Sequence, residues 1–355
     1  MKILFIIDKL KIGGKARRFL EIVRGLDRSF EIVLVYYDAN TFYEKELKEL
    51  NVKTYLLKER SKYSLKGFVE LNSILKKERP QIVHSWMLIA TVKILLLKFL
   101  LRFKVIDNSI ASADGENLKL TGRLLYAISF RFSDCIIGNS NAGIQSFKAP
   151  LSKSVVIHNG FDLGRITNFK PTQLPEKEEY YPVIGMVARF DDNKDYECFF
   201  KAANELLKNY PKALFIAIGD GKYFHKYKSE YSQNSGFLFT AAIGNPFDYI
   251  QNFDICVLTT YTEGISNSLM EYMAFSKPII TTDCQGTREL LDNGKEAVLI
   301  PVSSSQALID AVNELMNNTS KMKLLGENAF IKLKDSFSFE QMISKYNIIY
   351  SKLIN

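Results

Sequence analysis

Short apolar runs and longer stretches of helical period alternate from the first residue onward. The runs Lys2–Ile7, Glu31–Tyr36, Val52–Leu56, Gln81–Ser85, Lys104–Asp107, Asp134–Gly138 and Val155–His158 read as strands. Between them, Lys15–Gly25, Leu65–Arg79, Met87–Leu101 and Thr121–Phe132 read as helices. Strand–helix alternation predicts a parallel sheet covered on both faces, a doubly wound α/β domain.

The pattern stops at residues 168–181, NFKPTQLPEKEEYY, which are polar, hold two prolines and have no period. That composition predicts an interdomain linker between a first domain at 1–167 and a second at 182–335. Alternation then restarts. Strands are expected at Val183–Ala188, Leu214–Ile218, Phe237–Ala241, Ile255–Thr259, Pro278–Thr282 and Ala297–Ile300. Helices are expected at Tyr196–Asn209, Tyr223–Ser232 and Asn267–Phe275, with more helix after residue 300. The chain is thus expected to form two similar Rossmann-like, doubly wound α/β domains facing a cleft. Ligands of such sheets bind beyond the carboxyl ends of the strands, and candidate residues are sought there.

Charge sharpens the division. Of the 355 residues, 1–170 carry 29 Lys and Arg against 16 Asp and Glu, and the rest carry 18 against 23. A basic half joined to an acidic half implies different partners. An anionic membrane surface fits the basic half. Nucleic acid does not, because the lysines are dispersed and no RNA- or DNA-binding signature is present. Lys93–Lys104, KILLLKFLLRFK, reads first as a core helix with basic flanks and second as a lipid-docking element. No run of 18 uncharged apolar residues exists, so no spanning helix is expected, and MKILFIID has no signal-peptide pattern. Cysteines at 135, 198, 256 and 284 fit no zinc pair or CxxC and read as free thiols of a reducing compartment.

The most informative segment is TYTEGISNSLMEYMAFSKPI, from Thr260 to Ile279. Glu263 lies in the loop after a strand. Ser266 or Asn267 can cap the next helix, whose first amides at Asn267, Ser268 and Leu269 lack internal partners and can hold an anion. Glu271 follows Glu263 by eight residues, about two helical turns. Two carboxylates flanking an anion site suit sugar hydroxyls with a phosphate between them; the bland reading is a loop charge and a helix-surface charge.

Arg189 and Lys194, in VARFDDNKD, follow the first strand of the second half. They can neutralise a leaving diphosphate without metal, or they are exposed bases paired with Asp191, Asp192 or Asp195. Metal routes find little support: no two aspartates stand two residues apart, and His84, His158 and His225 share no short spacing. Gly13 and Gly14 follow the first strand and can let backbone approach a phosphate, although no GxGxxG or P-loop is present. Gly219-Asp220-Gly221 is a second strand-end turn. His84 ends the fourth strand; a lone histidine there is more often structural than catalytic. Asp107 and Asn108 end the fifth strand, where a sugar contact or a structural role is open.

Together these residues resemble the retaining glycosyltransferases of family four, of GT-B architecture. The resemblance rests on Glu263-(seven residues)-Glu271, Arg189, Lys194, Gly219-Asp220-Gly221 and Gly13-Gly14. Asn159-Gly160-Phe161-Asp162 is similar to the family's N-G-x-D, and CQGTRELL, with Gly286 and Glu289, to its G-x-x-E-L turn. The stretch Phe337–Leu353 resembles the last helix, so that residues 336–355 are expected to cross back to the first domain. After the fifth strand many members carry a histidine, and some an S-I-R form; here the sequence is IDNSIASAD, with Ala111 at the arginine's place.

The resemblance implies a nucleotide-sugar donor, UDP-linked, in the second domain. Glu271 would bind its ribose and Glu263 its sugar, Arg189 and Lys194 its diphosphate, and Gly14 would approach the diphosphate. His84 is carried as a further catalytic candidate. Gly219, Gly221, Asn267, Ser268 and Leu269 complete the nucleotide site, with neither metal nor cofactor. The acceptor would be a lipid-linked glycan of cell-surface polysaccharide synthesis, met at the cytoplasmic face of the inner membrane by peripheral contact with anionic lipid. Two alternatives share the fold: a nucleotide-sugar 2-epimerase, and a noncatalytic partner subunit of a glycosyltransferase.

Overall fold

The structure is a computed structural model, and it describes the chain apart from residues 11–12, 39–41, 58–64, 168, 170–178 and 355. Most of the expected linker lies outside the described residues. Two compact units are present: Met1–Asn159 with Glu340–Asn355, and Gly160–Phe339.

The first unit holds a seven-stranded sheet of β1 (Lys2–Ile7), β2 (Glu31–Tyr36), β3 (Lys53–Leu56), β4 (Ile82–Ser85), β5 (Lys104–Ile110), β6 (Cys135–Gly138) and β7 (Ser154–Val156). Its order is β3-β2-β1-β4-β5-β6-β7, with every pair parallel. Of the central strands, β4 is buried throughout and β1 from Ile3 onward, as sheets with helices on both faces require. β5 runs past its expected end at Asp107 to Ile110 through a register shift against β6.

The second unit holds β8 (Val183–Val187), β9 (Leu214–Ile218), β10 (Phe237–Thr240), β11 (Ile255–Leu258), β12 (Ile279–Thr282) and β13 (Val298–Ile300). The order is β10-β9-β8-β11-β12-β13, again parallel. In each sheet the winding reverses at one place, between β1 and β4 and between β8 and β11. Ligand-binding crevices open at such switch points.

Each unit has its own core. That of the second is rich in aromatic rings around Phe190, Tyr196, Phe199 and Phe200. The helix Tyr196–Asn209 starts where Asp195 accepts a hydrogen bond from the Cys198 amide at 3.0 Å, an N-cap that fixes its first turn. The helix Phe339–Ile354 buries Met342, Ile343, Tyr346, Ile349 and Tyr350, and from Glu340 onward it belongs to the first unit.

Candidate functional site

The β8/β11 switch point is built from two strand-end loops laced together. The Asp195 amide donates to the Thr259 carbonyl (3.0 Å), and the Tyr261 amide donates to the Asn193 carbonyl (3.0 Å). The Thr260 hydroxyl donates to the Asn193 carbonyl (2.7 Å), and Lys194 and Thr260 form an isolated bridge. This lacing brings Lys194 against Glu263 in a direct ion pair, with both side chains mostly buried. Their juxtaposition follows from sheet order, since β8 and β11 are neighbours although far apart in sequence.

The strands part at this end. β11 pairs with β8 at Ile255 and Cys256, and the ladder stops before Val187. The Val187 amide donates instead to the Tyr272 hydroxyl at 2.7 Å, and Tyr272 is wholly buried. A phenol in the following helix thus satisfies a backbone group that the splayed strands leave behind. Burial pushes the Tyr272 hydroxyl well above its ordinary pKa, so it stays protonated.

The helix Asn267–Ala274 opens beside the pair. Ser266 occupies its N-cap position but its side chain makes no capping hydrogen bond. Asn267, Ser268 and Leu269 form the first turn, where amides and the macrodipole favour an anion. Glu271 sits one turn further in, almost fully buried, with the Arg165 guanidinium 3.6 Å away. Arg165 rides on the short helix Gly164–Thr167 and lies over the rings of Phe161 (5.0 Å) and Phe247 (4.8 Å). Asp162 accepts from the Gly164 amide at 2.8 Å and so positions that helix. Sequence reading marked Asp162 and missed Arg165; Phe161 precedes the helix Gly164–Thr167, so no helical spacing in the sequence pointed to the stacking.

Two glycines shape the loops. A Cβ on Gly219, at φ 157°, would fall 1.9 Å from the Ala188 carbonyl oxygen, so this residue must be glycine for the β8 and β9 loops to touch. A Cβ on Gly286 would fall 2.1 Å from the Glu263 carbonyl oxygen, which places CQGTRELL directly beneath the Glu263 loop. Gly221 lies against Phe190 and Asp191 in the same turn. Arg189 differs from Lys194: it is 77% exposed and pairs with Asp191 at 2.7 Å.

Sites expected in the first unit are placed differently. Gly14 begins the helix Gly14–Gly25, and residues 11–12 before it lie outside the described residues. His84 is fully buried; its Nδ1 meets the Tyr350 hydroxyl (2.7 Å), and its Nε2 accepts from the Trp86 indole (2.8 Å). Burial pushes its pKa down to about 3, so the ring is neutral. With both nitrogens engaged inside the protein, His84 is a core residue, which corrects its catalytic assignment. Asp107 is likewise buried, accepting from the Ser109 amide (2.9 Å) and the Ser129 hydroxyl, and is not placed to touch a sugar. Among the described residues no three His, Cys, Asp or Glu side chains gather as a metal site.

Comparison with known proteins decides the family. The Glycosyltransferase Family 4 domain matches residues 12–165, and the Glycosyl transferases group 1 domain matches residues 167–332. The chain belongs to the group 1, family 4 glycosyltransferases. An uncharacterized glycosyltransferase of Methanocaldococcus jannaschii is 24% identical over 207 residues, 56% of this chain and 53% of the relative. The N,N'-diacetylbacillosaminyl-diphospho-undecaprenol alpha-1,3-N-acetylgalactosaminyltransferase of Campylobacter jejuni is 26% identical over 251 residues, 65% of this chain and 63% of that one. The chain thus spans between half and two-thirds of the length of these two relatives. The structure of Anabaena HepE in complex with UDP-glucose has a TM-score of 0.84 at 18% identity, covering 99% of this chain and 100% of that one. This likeness shows the fold: the glycosyltransferase has the two Rossmann-like units of GT-B.

Proposed function

We propose that this glycosyltransferase moves a sugar from a UDP-linked donor to a hydroxyl of a lipid-linked glycan, with retention at the anomeric carbon. The Lys194–Glu263 pair at the β8/β11 switch point is the observation that carries this reading. The ammonium spends one donor on Glu263 and has two more for an anion. Glu263, fixed by that pair, offers its second oxygen to sugar hydroxyls. Glu271, held by Arg165, suits the paired hydroxyls of a ribose. The first turn at Asn267–Leu269, with Gly219 and Gly221 in the adjoining loop, suits the diphosphate, and Arg189 adds an exposed cation.

In the reaction the bond from the anomeric carbon to the diphosphate oxygen breaks as the acceptor oxygen bonds that carbon from the same face. The acceptor's proton passes to the departing diphosphate oxygen. Lys194 and Arg189 stabilise the negative charge that builds there, a contribution of the kind worth about 10²–10³ in rate per donor. The acceptor class is supported by the Campylobacter relative, whose name describes transfer to a sugar on diphospho-undecaprenol.

The test is incubation with labelled UDP-sugars, with and without polyprenyl-diphosphate-linked saccharides, and NMR of the product's anomeric configuration. Acceptor-dependent transfer with retention is expected. An isomerised sugar formed from donor alone would replace this reading with the 2-epimerase; an inverted product would overturn the mechanism.

A further inference from the structure

Asp195 follows Lys194 in the chain, is 3% exposed, and is not among the groups that the proposed reaction uses. Each of its polar atoms is engaged. Its amide donates to the Thr259 carbonyl (3.0 Å) and its carbonyl accepts from the Thr259 hydroxyl (2.7 Å), which ties it to the end of β11. One carboxylate oxygen accepts from the Cys198 amide and starts the helix Tyr196–Asn209. The other accepts from the Ser303 hydroxyl at 2.9 Å. Capping a helix uses only the first of these oxygens, so the bond to Ser303 calls for a separate account.

Ser303 lies in the loop between β13 and the helix Ser305–Met316. Its φ of 58° is left-handed, an uncommon conformation for a residue with a side chain. Ser304 beside it caps that helix, accepting from the Ala307 amide (3.2 Å), and the helix packs on Tyr196–Asn209. Asp195 thus joins the loop after β8 to the loops after β11 and β13. On its other side, the Lys194 amide donates to the Asp191 carbonyl (3.0 Å), and Lys194 bridges Thr260. The main chain of Lys194 is therefore fixed from both sides, and its side chain leaves that root to meet Glu263. A lysine side chain has much rotational freedom to lose. A fixed root and a buried carboxylate partner remove most of it before any ligand arrives.

We propose that Asp195 is a positioning residue for the nucleotide diphosphate. By holding three strand-end loops together it fixes the root of Lys194, so that the ammonium is already in place for the terminal phosphate of UDP. Asp195 acts through Lys194 and does not itself contact the nucleotide; Ser303 acts through Asp195. Misplacement by about 1 Å is enough to cost a positioned group its effect. The proposal rests on the donor-site reading and extends it to two residues outside the site.

Calorimetric titration of the full chain with UDP and with UMP tests it, with the Tm of each variant recorded. The two probes differ by the terminal phosphate, so a change confined to UDP reports on Lys194. Lys194→Ala should weaken UDP binding about tenfold, the worth of one hydrogen bond to a charged group, and leave UMP binding unchanged. Asp195→Ala should do the same. The double variant should be no weaker than Lys194→Ala alone, because the two residues act as one unit. Asp195→Asn should restore UDP affinity, since the amide keeps an oxygen for the Cys198 amide and a donor for the Ser303 hydroxyl. Ser303→Ala spares the helix cap and should weaken UDP selectively, by less than Asp195→Ala; it decides the question alone if Asp195→Ala folds too poorly to titrate. Parental UDP affinity in the folded Asp195→Ala and Ser303→Ala proteins would overturn the proposal. So would equal losses for UDP and UMP, or additive losses in the double variant. If Lys194→Ala binds UDP like the parent, the role of Lys194 in the donor site falls and the proposal with it. If Lys194→Ala is weakened and Asp195→Ala is not, only the role of Asp195 falls.

Discussion

The two switch points of this chain are built by the same strand order and end in opposite states. Between β8 and β11 the strands part, Tyr272 satisfies the amide left behind, and the loops above present Lys194, Glu263 and Arg189. Between β1 and β4 the strand end is sealed: His84 packs on Phe5 (4.9 Å) and is closed over by Tyr346 and Tyr350 of the C-terminal helix. A doubly wound sheet therefore supplies a place for a site, and the element that covers or spares it decides whether polar groups there face a ligand or the core. His84 lies inside β4 and is a neutral ring satisfied within the protein, whereas Lys194 lies in the loop beyond the end of β8 and is a cation held by a carboxylate.

The contrast breaks most sharply at Lys194. Lys194→Ala should reduce transfer by about 10²–10³, and leaving Glu263 unpaired in a mostly buried place should cost about 3 kcal/mol, measured by kcat and by denaturant melts. Gly286→Ala should follow. Its Cβ would force the Glu263 carbonyl away, and a displacement near 1 Å at a reacting centre is worth about 10² in rate. A Gly286→Ala variant with parental kinetics would mean that the Glu263 loop does not position the sugar.

His84→Phe should change stability and spare chemistry. The unfolded histidine takes a proton below its ordinary pKa of 6.5, whereas the folded one resists protonation down to about 3. Its contribution is therefore present above pH 6.5 and is lost progressively as pH falls toward 3, at about 1.4 kcal/mol per pH unit. Melts across that window should show this acid slope in the parent and its reduction in His84→Phe, with transfer per folded molecule unchanged. Arg189→Ala should have the smallest structural effect, within about 0.5 kcal/mol, since an exposed pair contributes little. Its expected readout is weaker UDP binding.

Much of this was legible in the sequence because hydrophobic period is written locally. Glu31–Tyr36, Tyr196–Asn209 and Leu214–Ile218 form at the bounds their patterns predict. Short helices such as Glu44–Glu49, Asn141–Ser146 and Gln285–Leu290 escaped, being too brief to show a period. Lys194 and Glu263 could be placed at strand ends, since alternation shows where strands stop. The partners of buried groups could not. That Tyr350 closes over His84, or that Arg165 meets Glu271, depends on packing between segments distant along the chain, and no local pattern records it.

The central claim, that the donor nucleotide binds at the β8/β11 switch point, is tested most directly by calorimetric titration with UDP in EDTA. Parent, Arg189→Ala and Glu271→Ala proteins would be compared, each checked for folding by its Tm, with GDP, ADP and CMP as controls. Saturable UDP binding by the parent, weakened in both folded variants, is the predicted result. Absence of UDP binding by the parent, or equal affinity in all three proteins, would contradict the account.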